Sequence, residues 1–119
     1  MTITRRKLSA DFVVVGGGMA GLCAAVAAAR NGAKTVILQD RPMFGGNASS
    51  EIRMWICGAH GDNRKETGLL EELQLDNYYF NPTMKFTIWD DVMYGFAKRE
   101  KNLTVLLNTS VEKVETENG

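Results

Sequence analysis

The start of the chain places short apolar runs on either side of a stretch rich in alanine. Residues 12–15 (FVVV) are all apolar and stop at three glycines, which predicts a strand buried on both faces, as in parallel sheets. Residues 19–30 predict a helix that ends at Asn31-Gly32. Residues 35–38 (TVIL) predict a second buried strand. This order of elements predicts a βαβ unit with parallel strands and a right-handed crossover.

The middle of the chain carries one irregular stretch and two helical patterns. Residues 41–61 are rich in glycine and serine without a steady period, so we predict a structured loop with one helical turn. Leucines at helical spacing predict a helix over residues 66–75. Apolar residues at i, i+3, i+4, i+7 and i+8 predict another helix over residues 88–101. Thr87 and Asp90 have the spacing of a capping pair at its start.

The last part of the chain predicts two strands of different kinds. Residues 104–107 form a third apolar run, whereas residues 111–116 alternate apolar and polar side chains, as a half-exposed antiparallel strand does. Asn118-Gly119 is a strong hairpin signal, so we expect the sequence to be the front part of a longer one. The predicted fold class is α/β, a Rossmann-like βαβ parallel sheet with the start of an antiparallel β-meander. Residues 1–119 are then the N-terminal part of one such domain.

A glycine-rich turn lies between the first predicted strand and the first predicted helix. Its sequence is Gly16-Gly17-Gly18-Met19-Ala20-Gly21, which fits the pattern G-x-G-x-x-G. In this context Gly16 permits a tight turn, Gly18 lets a pyrophosphate approach the backbone, and Gly21 lets the helix pack against the strand. The helix N-terminus offers free N–H groups and partial positive charge to phosphates. The turn therefore predicts a dinucleotide-binding site.

The end of the second predicted strand leaves the kind of dinucleotide open. Such strands usually end in a carboxylate that binds the adenosine ribose, and here the position holds Gln39, which has a single acceptor oxygen. Asp40 follows directly and reaches the ribose if the chain turns at the strand end. A neutral Gln39 followed by Arg41 also suits a 2′-phosphate, and hence NADP.

The segments "DFVVVGGGMAG" and "VILQDRPMFGGNASSEIR" together resemble a known family. They are similar to the FAD-dependent oxidoreductases of the glutathione-reductase-like flavoprotein superfamily, which are related to the fumarate reductase and succinate dehydrogenase flavoproteins. The resemblance implies that FAD is the cofactor, with Gln39 in the place of the usual Glu. It also implies that Gly45-Gly46 forms the family's glycine pair. The polar residues that it places near the pyrophosphate or the flavin are Asn47, Ser49 and Ser50.

The segment "LTVLLNTSVEKVETENG" carries the same resemblance at the other end of the chain. It implies that the backbone at Val111 holds the adenine edge. In the family, later parts of the chain supply a second flavin-binding motif and the substrate domain. We therefore expect a full-length FAD-dependent oxidoreductase acting on a small-molecule substrate, with this segment binding the ADP moiety and inactive by itself. The alternative is a non-catalytic or truncated dinucleotide-binding module.

Two residues of the irregular stretch are candidates for chemistry. His60 is the only histidine and could act as an acid or base. Arg53 could pair with a substrate carboxylate, or form an ordinary ion pair with Glu51. Cys23 and Cys57 are far apart and form no C-x-x-C pair, so we predict no metal site.

Charge and hydropathy limit the partners. The chain has 14 basic and 14 acidic side chains, and this balance argues against nucleic-acid binding, which needs an excess of Lys and Arg. Its start lacks a signal-peptide pattern, and the apolar run over residues 19–29 is too short to span a bilayer. We expect a soluble, cytoplasmic protein without membrane partners. A sheet with an open edge also predicts self-association through strand pairing.

Overall fold

The computed structural model of the protein describes residues 2–118. The elements follow the chain in this order: strand β1 (Phe12–Val15), helix α1 (Met19–Arg30), strand β2 (Thr35–Leu38), a short 3₁₀ turn (Gly46–Ala48), helices α2 (Gly68–Phe80) and α3 (Phe86–Lys98), and strand β3 (Leu103–Leu106). We call the 3₁₀ turn the Gly46 turn. Within residues 2–118 the helices are too short or too polar to cross a membrane.

The three strands form one parallel sheet in the order β1-β2-β3. Val13 lies opposite Val36, and Val36 lies opposite Thr104. Helix α1 connects β1 to β2 and packs on both strands. Its buried residues recur at helical spacing on one face and are Leu22, Ala25, Val26 and Ala29. The α/β class and the βαβ unit are therefore confirmed.

Strand β1 is more exposed than its sequence predicts. Phe12, Val13 and Val15 are 44%, 54% and 62% exposed, and Val14 is the buried residue of the strand. Strand β2, by contrast, has three buried residues in succession. The prediction of two buried faces is wrong for β1, because α1 packs on the side of Val14, whereas the side chains of Val13 and Val15 point to the opposite face and are exposed.

Helices α2 and α3 differ from the predicted helices at their ends. Helix α2 extends to Phe80, five residues beyond the predicted end. Helix α3 begins at Phe86 after Lys85, whose side chain makes no capping hydrogen bond. The predicted cap at Thr87 is wrong, because Asp90 is used elsewhere. Its carboxylate accepts a hydrogen bond from the backbone N–H of Ser50 at 2.9 Å.

The chain after β3 runs alongside the end of β2 without forming a strand. The backbone N–H of Asn108 donates to the carbonyl of Arg41 at 3.2 Å, and that of Thr109 donates to the carbonyl of Gln39 at 2.9 Å. Residues 111–116, predicted as the first meander strand, have no strand structure here. Alternating side chains alone do not make a strand, since its backbone groups need a neighbouring strand to pair with.

One cluster of ion pairs joins the three helices. Arg30 Nη1 lies 2.6 Å from Glu72 Oε2, and Arg30 Nη2 lies 2.8 Å from Glu100 Oε1. Arg99 Nη2 lies 2.8 Å from Glu72 Oε1, and Arg99 Nη1 lies 2.7 Å from Asp76 Oδ2. Glu72 is therefore shared by two guanidinium groups and connects α2 to both α1 and α3.

Acid is expected to weaken this connection through Glu72. The hydrogen bond from the Arg30 guanidinium holds the pKa of the Glu72 carboxyl below its ordinary value of 4.5. Because the pKa is lower in the folded protein, the stabilisation is present above that ordinary value and is lost as the pH falls through the folded-state pKa. The Glu72 side chain is 39% exposed, so solvent screening limits the effect to about 1 kcal/mol or less.

Urea unfolding near pH 7 and near pH 3 measures this effect as a difference in the free energy of unfolding. We expect the free energy of unfolding of Glu72→Gln to differ less between the two pH values than that of the wild type. The matched control is Glu71→Gln on the same helix, where the carboxylate lies 4.0 Å from Lys65. It should keep the wild-type difference, and an equal response of the two variants would contradict the role given to Glu72.

Candidate cofactor-binding site

The glycine-rich turn, residues 16–21, lies where β1 meets α1. Gly16 has φ +103° and its N–H donates to the carbonyl of Leu38 at 2.8 Å, which ties the turn to β2. A Cβ on Gly21 would lie 1.9 Å from the carbonyl oxygen of Gly16, so only glycine lets α1 pass this close to the turn. A Cβ on Gly18 would meet nothing within 4 Å. Gly21 is therefore required for packing, whereas Gly18 borders open space.

The N-terminus of α1 is open beside Gly18. Gly18 precedes the helix with an extended backbone, and no side chain caps the first turn. Ala20, in that turn, is exposed. The backbone N–H groups of a first helical turn lack partners inside the helix, so this end can receive an anionic group.

Gly17 is a steric requirement that the motif does not specify. A Cβ on Gly17 would lie 2.5 Å from Cδ1 of Phe44, whose ring is fully buried. The G-x-G-x-x-G pattern leaves this position free, so the pattern offered no signal for it. The aromatic residue directly before Gly45-Gly46 is what makes glycine necessary here.

The glycine pair lies directly against the glycine-rich turn. The N–H of Gly45 donates to the carbonyl of Gly17 at 2.8 Å, and Gly45 forms an isolated parallel bridge with Gly18. Gly45 has φ +107°, and a Cβ there would lie 2.7 Å from the sulfur of Met93 on α3. A Cβ on Gly46 would lie 3.5 Å from the Cα of Gly18. The two glycine segments therefore form one surface.

The polar residues after the pair have separate roles. Asn47 is exposed, whereas Ser49 is buried and its hydroxyl donates to the carbonyl of Gly46 at 2.7 Å. The backbone N–H of Ser50 is held by Asp90. Nε1–H of Trp89 donates to the carbonyl of Ala48 at 2.9 Å. Ser49 and Trp89 shape the Gly46 turn, and Asn47 is the member that faces outward.

Two open grooves border the glycine-rich turn. We call the first the strand-end groove, and its lining residues are Val15, Gly16, Leu38, Asp40, Thr109, Ser110 and Val111. We call the second the glycine groove, and its lining residues are Gly18, Met19, Ala20, Gly45, Gly46, Asn47, Ala48, Met54, Trp55 and Ile56. Gly16 lines the first groove and Gly18 the second, so the two grooves lie at nearby residues of one turn.

The sequence did not identify the apolar wall of the glycine groove. Met54, Trp55 and Ile56 lie in the irregular stretch, where no periodicity marks them. Trp55 stacks on Phe86 with ring centroids 4.1 Å apart, which anchors this wall to the start of α3. The feature of the sequence that could have indicated this contact is the presence of a tryptophan, Trp55, in a glycine-rich loop.

Gln39 is buried and its side chain is committed to the protein. Its Oε1 accepts a hydrogen bond from the N–H of Gly17 at 2.8 Å, and its Nε2 donates to the carbonyl of Met43 at 3.1 Å. Asp40 is exposed and lines the strand-end groove. Arg41 is exposed, with Nη1 lying 3.9 Å from the carboxylate of Glu51. The two candidates for the ribose contact, Gln39 and Asp40, and the candidate for a 2′-phosphate, Arg41, therefore lie in three different surroundings.

His60 and Arg53 line neither groove. His60 is exposed in the coil before α2. Arg53 has φ +63°, and its Nε donates to the carbonyl of Ser50 at 3.2 Å. Glu51 lies near Arg41 and does not form the expected ion pair with Arg53. Across residues 2–118, no group of three His, Cys, Asp or Glu side chains is arranged to hold a metal ion.

Comparisons with known proteins show the family of this chain. Residues 11–119 match the family described as FAD dependent oxidoreductase. The chain is 31% identical over 110 residues to 4-oxocyclohex-2-ene-1-carboxylate 5-dehydrogenase of Sinomonas cyclohexanicum, covering 86% of this chain and 19% of that protein. It is 40% identical over 55 residues to digoxin reductase of Eggerthella lenta, covering 45% and 9%.

A third similarity is confined to a shorter segment. Over 38 residues the chain is 50% identical to fumarate reductase (cytochrome) of Shewanella frigidimarina, covering 32% of this chain and 7% of that protein. The chain thus spans between 7% and 19% of the length of these three curated relatives.

Proposed function

We propose, on the premise that this chain belongs to the FAD dependent oxidoreductase family, that it forms the part of the FAD site that holds the ADP moiety. The observation that carries the proposal is the open space at Gly18, beside the uncapped N-terminus of α1 and between the two grooves. A pyrophosphate needs this close approach to a backbone and these free N–H groups. The residues present therefore fit the cofactor.

The two grooves suit the two ends of the cofactor. The strand-end groove, with Asp40 and the backbone of residues 109–111, would hold the adenosine. The glycine groove, with Gly45-Gly46, Asn47 and its apolar wall, would lead from the pyrophosphate toward the flavin. When bound, FAD supplies the electron-accepting ring of the reaction. The chain's own residues would bind it, orient it and offer backbone N–H groups to its phosphates.

We assign the oxidoreductase activity on a small molecule to the whole protein, and cofactor binding to this chain. Two of the relatives are named reductases and the third a dehydrogenase, which supports oxidation and reduction as the reaction class. Their names differ in substrate, so they support no single one. His60 and Arg53 take no part in the proposal, because neither lines a groove.

Visible absorption of the purified protein tests the proposal. We expect flavin bands that stay with the protein after gel filtration, and we expect heat to release FAD. If the purified protein is colourless, incubation with FAD, FMN or NADP shows whether the site has lost FAD or binds a different ligand. Retention of NADP but not of FAD would replace the cofactor, and retention of none would favour a non-catalytic module.

We also propose that the open edge of β1 pairs with a second copy of the chain. Exposed Phe12, Val13 and Val15 on an edge strand support this pairing, because such edges are templates for another strand. Light scattering is expected to show a mass that rises with concentration. Val13→Lys, which adds a charge to the edge, should return the protein to a monomer. A wild-type protein that stays monomeric at high concentration would contradict the proposal.

A cytoplasmic location is the last part of the proposal. Cys23 and Cys57 are both free thiols, and free thiols are kept reduced in the cytoplasm. Cell fractionation followed by immunodetection measures the location. Recovery from a membrane or exported fraction would contradict it.

A further inference from the structure

We infer that Gln39 and Asp40 divide between them the two tasks that one carboxylate performs in many dinucleotide sites: Gln39 holds the glycine-rich turn, and Asp40 recognises the adenosine ribose. The inference rests on the proposed function. It assigns the ribose contact to a residue two positions beyond the end of β2, where the sequence left Gln39 and Asp40 open.

Gln39 holds the glycine-rich turn because both ends of its amide form hydrogen bonds with backbone groups. Its oxygen accepts from the N–H of Gly17 and its nitrogen donates to the carbonyl of Met43. It is 6% exposed and lines neither groove. Each end of the amide could form one further hydrogen bond, but a ribose in the strand-end groove would not reach a side chain that is buried and does not line that groove. Gln39 therefore links the glycine-rich turn to the loop before Phe44.

Asp40 is oriented differently because consecutive residues of an extended chain point to opposite sides. The backbone of Gln39 is still held as in a strand, since its N–H donates to Leu106 and its carbonyl accepts from Thr109. The side chain of Gln39 turns inward to Gly17, and Asp40 is exposed on the wall of the strand-end groove. This is the groove that runs from Gly16, in the glycine-rich turn, to Val111.

The chemistry of Asp40 suits a ribose with two free hydroxyls. An ionised carboxylate only accepts hydrogen bonds, and adjacent 2′ and 3′ hydroxyls offer two donors to it. A 2′-phosphate would instead bring negative charge against negative charge. Arg41, the residue that would favour such a phosphate, is 62% exposed, with its guanidinium 3.9 Å from Glu51. The site should therefore prefer an unphosphorylated adenosine ribose.

Titration of the flavin-free protein with ADP, 2′-deoxy-ADP and 2′,5′-ADP tests the inference. We expect Asp40→Asn to weaken ADP by about tenfold or more, as for loss of a charged hydrogen-bond acceptor. We expect it to weaken 2′-deoxy-ADP, which keeps only the 3′-hydroxyl as a donor to Asp40, less than it weakens ADP, and to improve 2′,5′-ADP relative to ADP. Glu71→Gln on α2 removes the same charge away from the groove and should behave as the wild type.

Gln39→Glu is the second variant. A carboxylate here still accepts from Gly17, but its other oxygen faces the carbonyl of Met43 without a proton to donate. We expect it to lower the melting temperature and not to tighten ADP. Tighter ADP binding in Gln39→Glu that depends on the 2′-hydroxyl would overturn the assignment, as would wild-type binding of ADP by Asp40→Asn.

If the proposed function were wrong, the same experiments would give a different result. A wild-type protein that binds neither FAD nor ADP would refute both proposals together. A wild-type protein that binds FAD, with Asp40→Asn binding it equally well, would refute only the ribose assignment. FMN, which lacks the adenosine, adds an internal check, because its affinity should not change in Asp40→Asn.

Discussion

Gly18→Ala is expected to weaken FAD binding by tenfold or more, which is about 1.4 kcal/mol, while the protein remains folded. The added methyl group would meet no atom of the protein within 4 Å. It would instead occupy the space in which a pyrophosphate approaches the backbone. Gly18 has φ −63° and ψ 177°, an extended conformation that alanine adopts without strain. The free energy of unfolding should therefore change by less than about 0.5 kcal/mol.

Two measurements separate binding from folding in this variant. Titration with FAD gives the dissociation constant, and thermal unfolding without cofactor gives the stability. A Gly18→Ala protein that binds FAD as the wild type does would show that no phosphate lies over Gly18. A Gly18→Ala protein that unfolds at a much lower temperature than the wild type would show that the fold itself requires glycine at this position.

Gly21→Ala, unlike Gly18→Ala, is expected to destabilise the fold itself. Its Cβ would lie 1.9 Å from the carbonyl oxygen of Gly16 and 3.3 Å from a methyl group of Val14. A backbone carbonyl cannot move aside as a side chain can, so α1 must shift away from β1. We expect a loss of about 3 kcal/mol, at the upper end of the usual cost of overpacking.

Gly95→Ala is the matched control for this substitution. Gly95 also lies inside a helix, and a Cβ there would meet nothing within 4 Å. Alanine should stabilise α3 by up to about 1 kcal/mol, because it has the higher helix propensity. Urea unfolding of both variants gives the comparison. If Gly21→Ala were as stable as Gly95→Ala, the close contact between α1 and the glycine-rich turn would be disproved.

The parts of the fold that were predictable are those specified by neighbouring residues. The apolar runs of β1 and β2, the alanines of α1 and the glycine pattern between them all act over a few positions. The bounds of α1 and β2 agree with the prediction to the residue. The short-range chemistry of Asn31-Gly32 ended α1, with Gly32 at φ +93°.

The contacts that were not predictable join residues far apart in sequence. The hydrogen bond from Gly17 to Gln39 spans 22 positions and the one from Ser50 to Asp90 spans 40. The second of these removed Asp90 from its predicted capping role. The exposure of β1 has the same origin, since the burial of a strand depends on what lies beside it and not on its own side chains. Sequence thus predicted the glycine-rich turn between β1 and α1, but not which distant side chains hold it and the loops beside it.

The contact between Gly45 and Met93 sets an order of events during synthesis of the chain. A Cβ on Gly45 would lie 2.7 Å from the sulfur of Met93, so this side of Gly45 is covered only once α3 has formed and docked. The ribosome completes the glycine-rich turn much earlier than α3. On the proposed function, the nascent chain presents the glycine-rich turn before helix α3 exists, and we expect it to bind the cofactor only after α3 has docked.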